Sequence, residues 1–367
     1  MGTTLDLLVK RDRITECRVR EGLLKAGDLG QGQALLRVDR FAFTANNITY
    51  AALGETLGYW QFFPTGEEGM GIIPVWGFAE VVQSHCPELE IGQRFFGYYP
   101  MSTHLRVTPD KVRPNGFVDA APHRQALPPL YNHYLNCAND ALYHEDDEAL
   151  QMLLRPLFTT SFLLDGFLAA EQFFGAHDVV VTSASSKTAI GMAYLLNRSR
   201  KGRGMDYQVI GLTSPGNRAF VEALKCYDRV LGYDELDQLP GNVPSVLVDF
   251  AGNGPLLDQV HRKLGSELKY SCLVGAAHWD QRQGRSPDMP GPKPTMFFAP
   301  TEAQKLIHKV GNQAFQQAMV DRWRAFAGYA QQWMDLEYGH GPAAVEAIYQ
   351  QVLQGHAAPR AGHLLSM

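Results

Sequence analysis

Cysteine is scarce and scattered in this chain. Its 367 residues hold five, Cys17, Cys86, Cys137, Cys226 and Cys272, an odd number that never forms a Cys-x-x-Cys pair. A disulfide framework and a structural zinc site are therefore poor fits. An excess of one charge is also missing, with 33 Lys plus Arg against 38 Asp plus Glu and a formal net charge of −5. Phosphate backbones attract clustered cations, so dedicated nucleic-acid binding is not expected. No apolar run approaches the ~20 residues that span a bilayer. Met1–Arg20 is charged throughout, without the apolar core of a signal peptide. The expectation is a cytoplasmic protein with no membrane partner.

What is present is ordinary globular material, 45% hydrophobic and 19% charged. At roughly 150 residues per domain this suggests two domains. The first ~115 residues read as short strands: Gln33–Phe43 alternates apolar and charged residues, and Gly77–Gln83 and Arg94–Tyr99 follow between turns. A barrel or sandwich module results. Apolar residues from Glu148 to Phe174 fit helical spacing. After that, strand runs alternate with helices: Asp178-Val-Val-Val, Gln208–Thr213, Ser245–Asp249 and Tyr270–Ala277. That alternation means βαβ units and a parallel sheet over about 131–296. Gln281–Pro294 is a polar Gly/Pro loop. One long helical run, Thr301 to Trp333, and a helix Pro342–Gln354 precede a strand-like end, Gly362–Met367.

Parallel sheets bind ligands at the carboxyl ends of strands, where helix N-termini present N–H groups. The turn Ser183–Ala189 falls there. It is almost entirely small or hydroxylated, with Ser185, Ser186 and Thr188 as donors and Lys187 as a charge for a pyrophosphate. Both Gly-x-Gly-x-x-Gly and the GxxxxGK[ST] loop are absent, so a turn that merely packs helix on strand stays open. NAD sites place an acid after the second strand to hold the ribose 2′-hydroxyl. Val209–Arg218 has none and offers Thr213, Ser214, Asn217 and Arg218. That set suits a 2′-phosphate and NADP(H), unless Arg218 is simply a surface residue of a first helical turn. Gly252 and Asn253, after the third strand run, allow a close backbone approach. No Gly-x-Ser-x-Gly elbow occurs, and Ala184 removes a Ser-x-x-Lys ending at Lys187.

This order of elements resembles the medium-chain dehydrogenase/reductase superfamily, in its zinc-free quinone oxidoreductase and enoyl reductase branch. Residues 77–112 are similar to that family's Gly-x-x-x-Val-Val-x-Ser … Gly-Asp-x-Val-x-Gly-Tyr segment, with Gln93 where Asp is usual. Residues 179–196 line up with its Ala-x-x-Gly-x-x-Gly turn, with Ser183, Ser186 and Ala189 at the marked positions. Gly232-Tyr233 replaces an Asn-Tyr that closes the 2′-phosphate segment.

The resemblance implies a Rossmann-type doubly wound parallel sheet, residues 131–296, and a GroES-like β-rich domain, residues 1–130 and 297–367. It implies an NADPH-dependent, zinc-free reductase of an activated double bond or carbonyl, of the quinone, enone or enoyl thioester type. The metal-binding segment of zinc relatives corresponds to Trp76–Glu80, which has no His, so no metal is expected. Tyr59 falls where enoyl thioester reductases carry a catalytic Tyr. Residues 46–51 resemble the stretch beside the substrate, which brings in Asn46, Asn47 and Tyr50. An aromatic patch covering a loop is the other reading of Tyr59–Phe63. Tyr233 and His278 join the cofactor set, His278 toward the nicotinamide half. The implied partner is a flat or acyl small molecule, and the assembly a homodimer or monomer. A non-catalytic or non-redox lyase or hydrolase protein on the same fold, with a degenerate cofactor site, is the alternative.

Overall fold

The computed structural model describes residues 4–22, 29–274 and 288–367. His278 and residues 281–287 of the polar loop lie outside the described residues. The chain divides into two compact units, Met1–Leu153 with Met334–Met367, and Leu154–Trp333. The sequence suggested divisions at 130/131 and 296/297. The first moves because strand His133–Asn136 pairs with strands Arg94–Pro100 and Gly116–Asp119. The second moves because helix Asn312–Ala330 packs Trp323 and Phe326 on Phe158, and Phe326 on Tyr194. The long helical run also breaks, at Gly311 (φ 84°), into Ala299–Val310 and Asn312–Ala330.

The second unit carries a six-stranded parallel sheet. Numbered along the chain, its strands are Asp178–Val181, Gln208–Thr213, Arg229–Gly232, Ser245–Asp249, Leu268–Leu273 and Thr295–Met296, and they lie in the order third, second, first, fourth, fifth, sixth. This is the doubly wound order, whose direction reverses between the first and fourth strands, where such sheets bind ligands. Continuous apolar runs fit the central strands because helices cover both faces; the first and fourth strands are buried along their whole length. Helix Lys187–Arg203 follows the first strand and stops at Gly204 (φ 62°), with Arg200, Lys201 and Arg203 in its last turn. Gly191 lets that helix press on Ser161 of helix Glu148–Ala170, since a Cβ there would lie 2.7 Å from the serine Oγ. By length and composition the helical stretch Glu145–Ala170 could cross a membrane, yet 61% of its apolar stretch is buried in the protein.

The first unit is β-rich. A nine-stranded sheet is built around Ala34–Phe43, Pro74–Ser84 and Arg94–Pro100, with a three-stranded sheet beside it in sequence. Trp76 stands opposite Tyr98, and Phe78 opposite Phe96, in the antiparallel register of the last two strands. The chain's end returns here as strand Asp335–His340, helix Pro342–Leu353 and strand Ala361–Ser366, the last pairing with Ala34–Phe43. Together these sheets give the Rossmann-type plus GroES-like α/β fold.

Candidate functional site

Two constellations hold the predicted residues, one in each unit. In the second unit, Ser183 leaves the first strand with φ 50°, the left-handed conformation that favours glycine. The missing first glycine is thus replaced in geometry by a serine. The turn is fixed from all sides. Ser183 N–H donates to the Tyr233 hydroxyl at 3.1 Å, and Ala184 N–H donates to Leu212 O at 3.0 Å. Tyr227 donates to Ala184 O at 2.9 Å, and Ser186 N–H to Ser183 O at 2.8 Å. Gly211 makes the space, because a Cβ there would sit 2.9 Å from the Ala184 Cβ and the Tyr227 ring. A left-handed non-glycine costs about 1–2 kcal/mol, part of which glycine returns as chain entropy. Ser183→Gly is therefore expected to stabilise the protein by about 0.5–1 kcal/mol in denaturant unfolding. A loss of stability would show that the serine side chain itself holds the turn.

Ser186 is the N-cap of helix Lys187–Arg203, its hydroxyl accepting from Ala189 N–H. That leaves the amides of Ser185 and Thr188 donating to no group among the described residues, at a helix N-terminus where anions are favoured. Lys187 opens the helix without any acid in the first turn, and burial pushes its ammonium down to about 8. Asn217 donates to the Ser185 hydroxyl at 3.1 Å, tying the second turn to the first.

The second turn differs from expectation. The Thr213 hydroxyl is buried in the sheet, 1% exposed, rather than presented to a ligand. Ser214 opens the short turn Pro215–Asn217 but caps none of its amides. Arg218, the intended phosphate ligand, is held by Glu222 at 2.9 Å and by Glu235. Glu235 also accepts from Gly232 N–H at 2.9 Å. An acid therefore reaches this corner from the next connection, which the local sequence does not show. At the fourth strand, Thr182 donates to the Asp249 carboxylate and accepts from the Phe250 and Ala251 amides at 3.0 and 3.1 Å. This locks the first and fourth strands together at the reversal point. Gly252 is left-handed (φ 63°), while the Asn253 side chain is spent on capping Leu256 N–H at 3.0 Å.

In the first unit, the residues after Thr44 form helix Ala45–Ala52. Asn47 is committed to it. Its Oδ1 accepts from Thr44 N–H at 2.8 Å, completing a capping box, and its Nδ2 donates to Pro74 O at 2.9 Å. Asn47 is therefore a positioning residue for the helix that carries Tyr50, not a free ligand for substrate. Asn47→Ala is expected to cost about 1–3 kcal/mol in stability, the loss of a cap together with a buried bond; a loss below 0.5 kcal/mol in chemical denaturation would contradict this.

Tyr50 and Tyr59 pack with ring centroids 4.5 Å apart and planes tilted by 39°, and Tyr59 meets Tyr131, hydroxyl to hydroxyl, at 3.4 Å. Two residues not anticipated complete the set. Tyr98 touches Tyr50, Phe62, Trp76 and Tyr131, at centroid distances of 5.8, 5.4, 5.1 and 4.6 Å. The strand alternation placing Phe96 and Tyr98 on one face, opposite Phe78 and Trp76, is the signal that finds Tyr98. Burial pushes the hydroxyls of Tyr50, Tyr59, Tyr98 and Tyr131 upward, so each stays a neutral phenol at neutral pH. Among the described residues no group of three or more His, Cys, Asp or Glu is placed to hold a metal ion.

Comparison with solved structures agrees with the fold. CurA from Vibrio vulnificus in complex with NADPH is 12% identical, covers 99% of both chains and gives a TM-score of 0.61. A mutant enoyl thioester reductase from Candida tropicalis, at 11% identity over 100% of both chains, gives 0.55. The Etr1p complex with NADP and crotonyl-CoA, at 10% over 100% of both chains, gives 0.56. At these identities the likeness is one of fold, that of the medium-chain dehydrogenases and reductases. No curated protein matches the sequence. A family model described as "Protein of unknown function (DUF2855)" matches residues 41–358, most of the chain, and the protein belongs to that family.

Proposed function

We propose that the protein is an NADP(H)-dependent reductase of an activated double bond or carbonyl. The observation that carries this is the left-handed Ser183, which keeps the first turn in the backbone path of a dinucleotide site without its glycine. That fit extends to the helix N-terminus behind it, to Lys187, and to Tyr233 and Gly252 around the turn. In this reading the Ser185 and Thr188 amides and the Lys187 ammonium hold the pyrophosphate. Bound NADPH supplies a hydride. The chain's own part is to polarise the acceptor oxygen and give it a proton. Tyr59, kept neutral by burial and set against Tyr131, is the proposed proton donor, with Tyr50 beside it. CurA and Etr1p, whose structures hold NADPH and NADP, share the fold and support the cofactor choice.

The test is calorimetric titration with NADPH, then loss of nicotinamide absorbance with a panel of enones, quinones and enoyl thioesters. Micromolar binding and turnover are expected. Absence of binding at millimolar NADPH would return the chain to the non-redox alternative. NADPH should bind more tightly than NADH, although Arg218 begins paired with two carboxylates. A 2′-phosphate must displace one of them. Glu235→Gln is accordingly expected to tighten NADPH several-fold and leave NADH unchanged. Equal affinity for both cofactors in the unmutated protein would remove Arg218 from the site. Elemental analysis is expected to find no stoichiometric zinc.

A further inference from the structure

The nine-stranded sheet of the first unit ends at Asp335–His340, which pairs on one side only, in parallel with Ala361–Ser366 and without a shift of register. Five of its six residues are exposed. Two of them carry large apolar side chains, Leu336 at 38% and Tyr338 at 53% exposure. Arg40 lies over the Tyr338 ring, 5.8 Å from its centroid, and holds it in place. Free sheet edges are normally blunted by proline, lysine or a bulge. The opposite end of the same sheet, Pro109–Arg113, has all three: Pro109, Lys111 and an irregular register between Asp110 and Arg113. Asp335–His340 has none of them.

The hydrogen bonds show which backbone groups the open edge presents. Asp335 N–H donates to Arg360 O at 3.0 Å, and Gly341 N–H to Ser366 O at 2.9 Å. With the two-residue repeat of a strand, Asp335, Glu337, Gly339 and Gly341 turn their backbone groups to Ala361–Ser366. Leu336, Tyr338 and His340 turn theirs outward. A strand added at this edge must set its own outward residues against these three.

A second copy of the same strand, antiparallel about a two-fold axis, meets that condition in few registers. An axis at Glu337 sets two carboxylates directly opposite one another, which is destabilising. An axis at Gly339 brings Pro342, which has no N–H, opposite Leu336. An axis at Tyr338 sets Tyr338 opposite its own copy, Leu336 opposite His340, Glu337 opposite Gly339 and Asp335 opposite Gly341. Both acids then face glycines, and each keeps a basic neighbour in its own chain, Arg360 at 2.6 Å from Asp335 and His363 at 3.1 Å from Glu337. A foreign strand would have to answer those acids with charges of its own. The copy answers them with residues that have no side chain.

We propose that Asp335–His340 is an isologous interface at which two copies of this chain join their sheets, with the two-fold axis at Tyr338. Outward backbone groups of Leu336, Tyr338 and His340 exchange hydrogen bonds with the partner copy. One strand pair makes a small interface, so the dimer is expected to dissociate on dilution.

The experiment is sedimentation velocity over a dilution series of the whole chain, followed by three variants. Because Tyr338 faces its own copy, Tyr338→Lys opposes two like charges and should raise the dissociation constant at least tenfold. Tyr338→Pro removes an outward N–H without touching a bond to Ala361–Ser366, and should do the same with the circular dichroism unchanged. Under mild oxidation Tyr338→Cys should cross-link into covalent dimers, since directly paired residues lie about 5.5 Å apart between Cα atoms, within reach of a disulfide. Leu336→Cys should not, because its counterpart lies roughly 14 Å further along the partner strand. A parent that stays monomeric at its highest soluble concentration overturns the proposal. So does a dimer that persists unchanged in both Tyr338→Lys and Tyr338→Pro, or cross-linking of Leu336→Cys as efficient as that of Tyr338→Cys. Should Tyr338→Lys fail to fold, the proline and cysteine variants decide.

Discussion

Lys187→Ala is expected to weaken NADPH binding more than tenfold, roughly the 1.4 kcal/mol that separates one decade in affinity. The same substitution should make the cofactor-free protein more stable near neutral pH. Both effects follow from one desolvated ammonium. Burial pushes Lys187 down to about 8, against an ordinary value of 10.5. Between those values the unfolded chain binds more protons than the folded one, so stability rises with pH from about 8 to about 10.5. Below pH 8 the folded protein carries the desolvation cost of that buried charge. A pyrophosphate bound there brings a negative charge beside the ammonium. NADPH affinity should therefore be greatest below pH 8 and fall as pH rises through it, with proton uptake on binding near the upper end. In Lys187→Ala that pH dependence should flatten. NADPH affinity within twofold of the original would place the lysine outside the cofactor site. A cofactor-free variant no more stable than the parent would show that its charge costs nothing where it stands.

The parts of the second unit that were legible in sequence are those built from contiguous residues. Asp178-Val-Val-Val and Ser245–Asp249 are buried on both faces of a parallel sheet, so each reads as an unbroken apolar run. The turn from Ser183 to Ala189 announces itself by small side chains, even with its glycines gone. Residues 46–51 read in sequence as a stretch beside the substrate, although Thr44, three residues before Asn47, resembles the start of a capping box. Features made by distant residues stayed hidden. Arg218 and Glu235 are 17 positions apart, and only the crossover between parallel strands brings the carboxylate to the guanidinium. Helix Asn312–Ala330 was assigned to the wrong unit because amphipathic spacing shows that a face is buried, not what buries it. The tyrosine cluster draws on the helix at Tyr50, the turn at Tyr59, paired strands at Trp76 and Tyr98, and a loop at Tyr131. The resemblance singles out Tyr50 and Tyr59 in sequence, while the pairing of Trp76 with Tyr98 shows only in the strand register.

The largest loss of stability is expected from Asp119→Ala. Asp119 and Arg124 pair at 3.3 Å with both side chains 1% exposed, and neither drew notice in the sequence, because four residues of turn separate two ordinary surface types. The carboxylate is held by the Thr108 and Ala121 amides at 2.9 and 3.1 Å. The guanidinium donates to the Tyr134 hydroxyl at 3.0 Å and lies over the Phe63 ring, 4.8 Å from its centroid. Removing the acid leaves a cation buried among aromatics, a change that typically costs about 3–5 kcal/mol. Exchanging both partners for apolar residues of similar volume is often neutral, because the desolvation of two ions disappears with their attraction. Asp119→Leu with Arg124→Met should therefore recover most of what Asp119→Ala loses, and the double-mutant cycle should be strongly non-additive. The consequence reaches the tyrosine cluster. Tyr134 donates to the Tyr98 carbonyl at 2.7 Å, so the Arg124 network holds the strand segment that presents Tyr98 to its neighbours. In the doubly substituted protein the fold should survive, although Tyr134 has lost the donor that orients it. If chemical denaturation instead finds Asp119→Ala within 1 kcal/mol of the parent, below the ~3–5 kcal/mol of a broken buried pair, the ion pair is not what secures this corner of the sheet.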